Sequence, residues 1–169
     1  MRRLVLDSDV IIALEQAGAE IRSDVGRVLP LVVTDVVWDE LEAPGDRQHR
    51  AQAFATAIAG HVTVLQANSP EAGTWAALQS DPRTEGAGEH SVIAYCVHHP
   101  DSIGVFQDKA ALRRAVEELR GRVLSFHGLI GELVDGGHLS WERARAVASR
   151  YRRQFTHARP PLWWPAIPP

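Results

Sequence analysis

Cysteine is almost missing from this chain: Cys96 is the only one in 169 residues, which excludes an internal disulfide and a cysteine-rich zinc site. It falls in an apolar helical stretch, where a buried thiol without chemistry is the expectation. Lysine is equally scarce, Lys109 standing alone among 18 basic residues. Long hydrophobic runs are lacking too. Stretches such as Leu29 to Val33 fall far short of the roughly 20 residues a membrane-spanning helix needs, so no membrane partner is expected. The opening Met1-Arg2-Arg3-Leu4-Val5-Leu6 is cut by Asp7 and Asp9 before a signal-peptide core can form, which predicts a cytoplasmic protein. Aromatic residues make up 7% and suggest no platform on which successive bases could stack. There is no internal repeat.

What is present suffices for a core: 45% of the residues are hydrophobic, enough for one compact domain of this length. The net charge of −3 hides a segregation. Residues 1–108 hold 7 basic and 16 acidic side chains, whereas residues 109–169 hold 11 basic and 5 acidic. An acidic front half suits divalent cations, and an arginine-rich back half suits phosphates, which guanidinium groups meet bidentately.

Short apolar runs read as buried strands: Leu4-Val5-Leu6, Leu31-Val32-Val33, Val62-Thr63-Val64-Leu65, Ile103-Gly104-Val105-Phe106 and Val123-Leu124. Helical patterns lie between them, at Val10 to Ala17, Val36 to Ala43, Arg50 to Ala59, Glu71 to Gln79, Gly88 to His98 and Ala110 to Leu119. Two more follow, roughly Gly128 to Asp135 and Ser140 to Tyr151, with Ser140 as N-cap and Arg143 to Arg153 making the last turns basic. The alternation predicts an α/β fold with a mainly parallel sheet of about five strands, helices on both faces and a helical C-terminal tail. The domain is expected over 1–155. Residues 156–169, rich in proline and carrying Trp163-Trp164, form an extended arm.

Open α/β sheets bind ligands beyond the carboxyl ends of their strands, where the strand order reverses. Asp7 directly follows the first strand, and Asp108 follows the fourth after Gln107. Glu40 lies in the helix after the second strand, and Glu89 opens the helix from Gly88. Four acids from four segments thus converge on one edge. Unit charges about 4 Å apart repel by on the order of 4 kcal/mol at an effective dielectric of 20, and a divalent cation removes that penalty. An all-oxygen ligand set favours Mg²⁺ or Mn²⁺ over zinc. Such ions activate water and stabilise the leaving oxygen of a phosphodiester. Singly, each acid also fits a helix start or a turn.

Four blocks together resemble the PIN-domain family, specifically the ribonuclease toxins of bacterial toxin–antitoxin pairs: Leu4 to Leu14 around Asp7, Thr34 to Leu41 around Glu40, Gly88 to Ala94 around Glu89, and Phe106 to Arg113 around Asp108. They keep the family's order and cover about the first 125 residues. The resemblance implies a three-layer α/β/α fold, hydrolysis of RNA, and Asp7, Glu40, Glu89 and Asp108 as metal-binding acids, catalytic through Mg²⁺ or Mn²⁺. An antitoxin protein and a homodimer are implied as partners. Three positions depart from the pattern. Asp9 replaces a small polar residue and reads as an auxiliary ligand, Phe106 replaces a threonine or serine, and His127 lies where related tails carry threonine. The principal ion is assigned to Asp7, Glu89 and Asp108, with Glu40 binding directly or through water.

Ser8 and Thr34 are read as positioning hydroxyls, Thr34 foremost as a helix cap. Lys109, Arg113 and Arg114 are the expected RNA contacts, with Arg143, Arg145, Arg150, Arg152 and Arg153 as a second phosphate surface. His90 adjoins Glu89, but neighbouring helix residues point about 100° apart, which argues against a general base. His98-His99 read as a helix end. Two alternatives stay open: a phosphatase like the haloacid dehalogenases, built on Asp7-Ser8-Asp9, and a relative that binds RNA or a partner without turnover.

Overall fold

A computed structural model describes the protein over residues 3–17, 31–59, 62–63, 69–81, 86–137 and 139–154. Strand β1 (Arg3–Leu6) lies at the middle of a parallel sheet, flanked by β2 (Leu31–Thr34) and β4 (Ser102–Phe106), with β5 (Val123–Ser125) beyond β4. Two residues, Val62–Thr63 (β3), pair with the outer side of β2 through Val33↔Val62 and Thr34↔Thr63. Four of the strands read from the sequence are present, and of the third only this two-residue pairing is described. Val64 and Leu65 of the third lie outside the described residues, as does the arm over 156–169. Leu4, Val5 and Leu6 are all buried, as a strand covered on both faces requires.

Eight helices occur among the described residues: α1 (Ser8–Ala17), α2 (Asp35–Glu42), α3 (Asp46–Ala59), α4 (Pro70–Gln79), α5 (Ala87–His98), α6 (Lys109–Leu119), α7 (Phe126–Asp135) and α8 (Trp141–Gln154). Their starts are chemically marked. Thr34 caps α2 by accepting the Val37 N–H, Ser69 caps α4 ahead of Pro70, Asp108 caps α6 and Ser125 caps α7. Helix α3 begins at Asp46, earlier than the Arg50 expected from apolar periodicity, because its first turn is polar and its buried residues start at Ala51. Helix α6 buries Ala111, Ala115 and Leu119 at a spacing of four and turns charged residues outward.

The chain steps from β1 to β2 to β3 in one direction, then crosses back past β1 to β4 and on to β5. Right-handed crossovers then put the helices that connect β1, β2 and β3 and those that connect β3, β4 and β5 on opposite faces, while α8, which follows the last strand, returns to α1. The packing agrees: α1 lies against α3 and α8, whereas α5 lies against α4 and α6. This is an α/β fold with a parallel sheet, consistent with three α/β/α layers. The order reverses between β1 and β4, and their carboxyl ends open the crevice where such sheets bind ligands. No helix among the described residues is long and apolar enough to cross a membrane.

Candidate functional site

At that crevice β1 ends on Asp7. Its N–H still donates to the Val105 carbonyl of β4 (3.2 Å), and its own carbonyl accepts the Ile11 N–H, so the residue ends a strand and starts a helix at once. The side chain is only 2% exposed, and its Oδ1 is buried without a hydrogen-bond partner. Burial, followed by the nearby charges of Glu89, Asp9 and Glu40, pushes its carboxyl well above the usual range, against an opposing hydrogen bond from the Ser8 backbone.

Glu89 stands in the first turn of α5. Burial, then Asp108, Asp9 and Glu40, push its carboxyl up to about 7. Glu40 and Asp9 therefore act electrostatically on both Asp7 and Glu89, Glu89 acts on Asp7, and Asp108 acts on Glu89; Asp9 lies on the exposed side of the α1 start. Asp108 accepts from the N–H groups of Ala110 and Ala111, the latter at 3.0 Å. Glu40 receives the Ser8 hydroxyl on Oε2 (2.7 Å) and the Gly88 N–H on Oε1 (2.8 Å).

In chemistry these residues fit a hard divalent cation, being all-oxygen donors with one desolvated, unpartnered oxygen at their centre. As they stand, no three His, Cys, Asp or Glu side chains among the described residues enclose an ion. Both oxygens of Glu40 accept from protein donors, the Ser8 hydroxyl and the Gly88 N–H, whereas Asp108 uses only Oδ2 for its helix cap.

The neighbouring positions fall into place by packing. Phe106 is fully buried, and its ring covers Gly104 so closely that a Cβ there would lie 2.7 Å from it; the aromatic departure serves the core. His127 makes edge contacts with Phe126 and Tyr151 at ring separations of 6.0 and 5.1 Å, and burial, then Arg152, hold its pKa down. Asp9 also acts on Tyr151, whose phenol is pushed up to about 12 by burial and that charge. Thus α8, packed on α1, brings Tyr151 within electrostatic reach of Asp9, a proximity no local sequence pattern encodes.

Of the expected RNA contacts, Lys109 and Arg113 are exposed on α6. Arg114 is different: its guanidinium lies 3.6 Å from Asp81 and 2.9 Å from Glu118, and its Nε is buried. Arg150 donates to the Ala17 carbonyl at 2.8 Å, tying α8 to α1. His90 is buried with Nδ1 3.1 Å from Gln79, so it does not face the acids as a base. His99 stacks on Tyr95 and meets Glu71 at 3.2 Å, while His98 meets Thr74 at 2.8 Å; both finish α5. Cys96 is buried, and burial pushes its thiol up to about 12.

Three residues shape the site in ways the sequence did not indicate, although Gly88 and Ser91 lie in the third motif block. Gly88 lets the Glu40 carboxylate approach the backbone, Ser91 joins Thr34 at 2.6 Å, and Trp75 fixes the start of α5 by donating to the Ala87 carbonyl at 3.0 Å. Comparison of the chain with known protein families, curated proteins and solved structures returned no match.

Proposed function

We propose that this protein is a Mg²⁺- or Mn²⁺-dependent endoribonuclease with a PIN-like fold, its two-residue β3 counting as the fifth strand, and that it acts as the toxin of a cytoplasmic toxin–antitoxin pair. The observation that carries the reading is the Asp7 carboxylate: buried at the strand-order reversal, lacking a partner on Oδ1, and facing the charges of Glu89, Asp9 and Glu40. Uncompensated acids in such a crevice are a liability unless a cation is to be held there. Asp7, Glu89 and Asp108 would hold the ion, with Asp9 as an auxiliary acid. The ion would supply an activated water and charge stabilisation for the leaving oxygen.

The chain's own residues do the rest. Asp7 offers a desolvated oxygen at a fixed place on the sheet. Lys109 and Arg113 follow Asp108 directly and are exposed, a placement suited to the RNA backbone. Antitoxin binding and homodimer formation belong to this reading through the motif resemblance.

The test is incubation of the purified protein with structured and single-stranded RNA in Mg²⁺, Mn²⁺ or EDTA, alongside Asp7→Asn and Asp108→Asn, with p-nitrophenyl phosphate as a phosphatase control. Metal-dependent RNA cleavage lost in both variants is expected. Release of p-nitrophenol without RNA cleavage would replace the nuclease by a phosphatase. Turnover of neither substrate would leave a binding protein.

A further inference from the structure

The geometry points to Glu40 as a positioning residue, a brace between the segments that carry Asp7 and Glu89, and not as a metal ligand. This inference rests on the nuclease reading. Each oxygen of Glu40 is taken by a different chain segment: Oε2 by the Ser8 hydroxyl at the start of α1, Oε1 by the Gly88 N–H at the start of α5. Ser8 is the residue after Asp7 and Gly88 the residue before Glu89. The brace therefore sets the spacing of those two acids by holding their immediate neighbours.

The approach is tight. A Cβ at residue 88 would lie 2.5 to 2.7 Å from all three atoms of the Glu40 carboxylate, so the carboxylate rests against bare backbone. The Gly88 N–H belongs to the first turn of a helix, whose amides have no partner within the helix and favour an anion. Swinging Glu40 outward to an ion would abandon both hydrogen bonds and uncover that amide.

The far side of the brace is fixed by a chain of hydroxyls. Ser91 Oγ donates to the Gly88 carbonyl at 2.6 Å, and Thr34 Oγ1 lies 2.6 Å from Ser91 Oγ. Because the Ser91 proton is committed to that carbonyl, Thr34 must be the donor between the two. Thr34 in turn accepts the Val37 N–H at 3.2 Å, which fixes the start of the helix bearing Glu40. Gly88 is thereby held through its N–H by Glu40 and through its carbonyl by Ser91.

A ligand and a brace respond differently to amidation. Glutamine keeps an oxygen for the Gly88 N–H and an amide for Ser8, but loses the charge a ligand must supply. Isothermal titration with Mn²⁺ of the wild type, Glu40→Gln, Glu40→Ala and Asp7→Asn, with thermal melts of each without metal, separates the two. Glu40→Gln is expected to weaken Mn²⁺ affinity by less than about tenfold, Glu40→Ala by about 10- to 100-fold, as for other groups that orient ligands, and Asp7→Asn to abolish binding. In the melts Gln is expected to retain the Tm that Ala loses. Binding abolished in Glu40→Gln would make Glu40 a ligand and overturn the inference, as would Gln and Ala variants weakened equally. A wild type that binds no Mn²⁺ would overturn the nuclease reading instead. The brace is then judged by the melts, where an equal loss of Tm in Gln and Ala refutes it.

Discussion

Asp7 remains bonded to Val105 after β1 has ended: its N–H reaches the Val105 carbonyl at 3.2 Å, continuing the β1 to β4 ladder past Leu6↔Val105. This single bond holds a carboxylate under the edge of the sheet, 2% exposed, beside the chain that leads to Asp108. Burial there has a consequence for pH. Asp7 and Glu89 are both raised above their ordinary values, Glu89 from 4.5 to about 7. A raised acid favours the folded state most fully below its ordinary value, and that contribution is lost as pH climbs through the raised one. In EDTA the Tm should therefore fall by a few degrees between about pH 5 and pH 7.5. Mn²⁺ should flatten the fall by compensating the charge. Scanning calorimetry at stepped pH checks this, and a metal-free profile no steeper than that of Glu89→Gln would refute it.

The acids were legible because strand ends are. Leu4-Val5-Leu6 stopping at Asp7 and Val105-Phe106 stopping near Asp108 locate two carboxylates on one edge without coordinates, and the observed register agrees. Thr34 as a cap was likewise written in the sequence, since a threonine before an apolar helix has few better roles. The contacts of Glu40 with Ser8 and Gly88 were not legible, because they join residues 32 and 48 positions apart and no local pattern encodes such a distance. The same holds for Arg114. On helical spacing alone it belongs with Arg113 as a phosphate contact, yet Asp81 of another segment claims it.

Gly88 permits a close approach that any side chain would block. Gly88→Ala places a methyl 2.5 to 2.7 Å from the Glu40 carboxylate, against helix backbone that cannot retreat. The carboxylate must leave, stranding the Gly88 N–H. Destabilisation by about 1–3 kcal/mol is expected from overpacking of this kind, measured by urea unfolding. Alanine's better helix propensity pulls the other way by about 1 kcal/mol, so a stabilised variant would show that the carboxylate moves without loss.

Thr34 and Ser91, both fully buried, should behave as a coupled pair. Ser91→Ala removes the acceptor of the Thr34 proton and leaves a buried hydroxyl unsatisfied, which costs about 1–3 kcal/mol. Thr34→Val removes that hydroxyl but also the cap on the Val37 N–H, a loss of about 1 kcal/mol. Once Thr34 is gone, the Ser91 substitution no longer strands it. The double variant should therefore be more stable than the sum of the singles by about 1 kcal/mol. Strict additivity in a double-mutant cycle would contradict the assigned donor directions.

Arg113 and Arg114 are neighbours with opposite prospects. Arg113 is exposed beside the Asp108 cap, whereas Arg114 is held by Asp81 and Glu118. If α6 meets RNA through its outward face, Arg113→Ala should weaken binding of an uncleaved RNA to the Asp7→Asn protein. The log–log dependence of affinity on salt should become shallower by about 1, as expected for one lost phosphate contact. Arg114→Ala should leave that slope in place and instead lower stability by about 0.2–1 kcal/mol, the usual range for partly exposed ion pairs. Fluorescence anisotropy across a salt series distinguishes them. A slope reduced by Arg114→Ala but not by Arg113→Ala would mean that RNA displaces the Asp81 and Glu118 pairs, and that the helix meets its substrate on the side now turned toward Asp81.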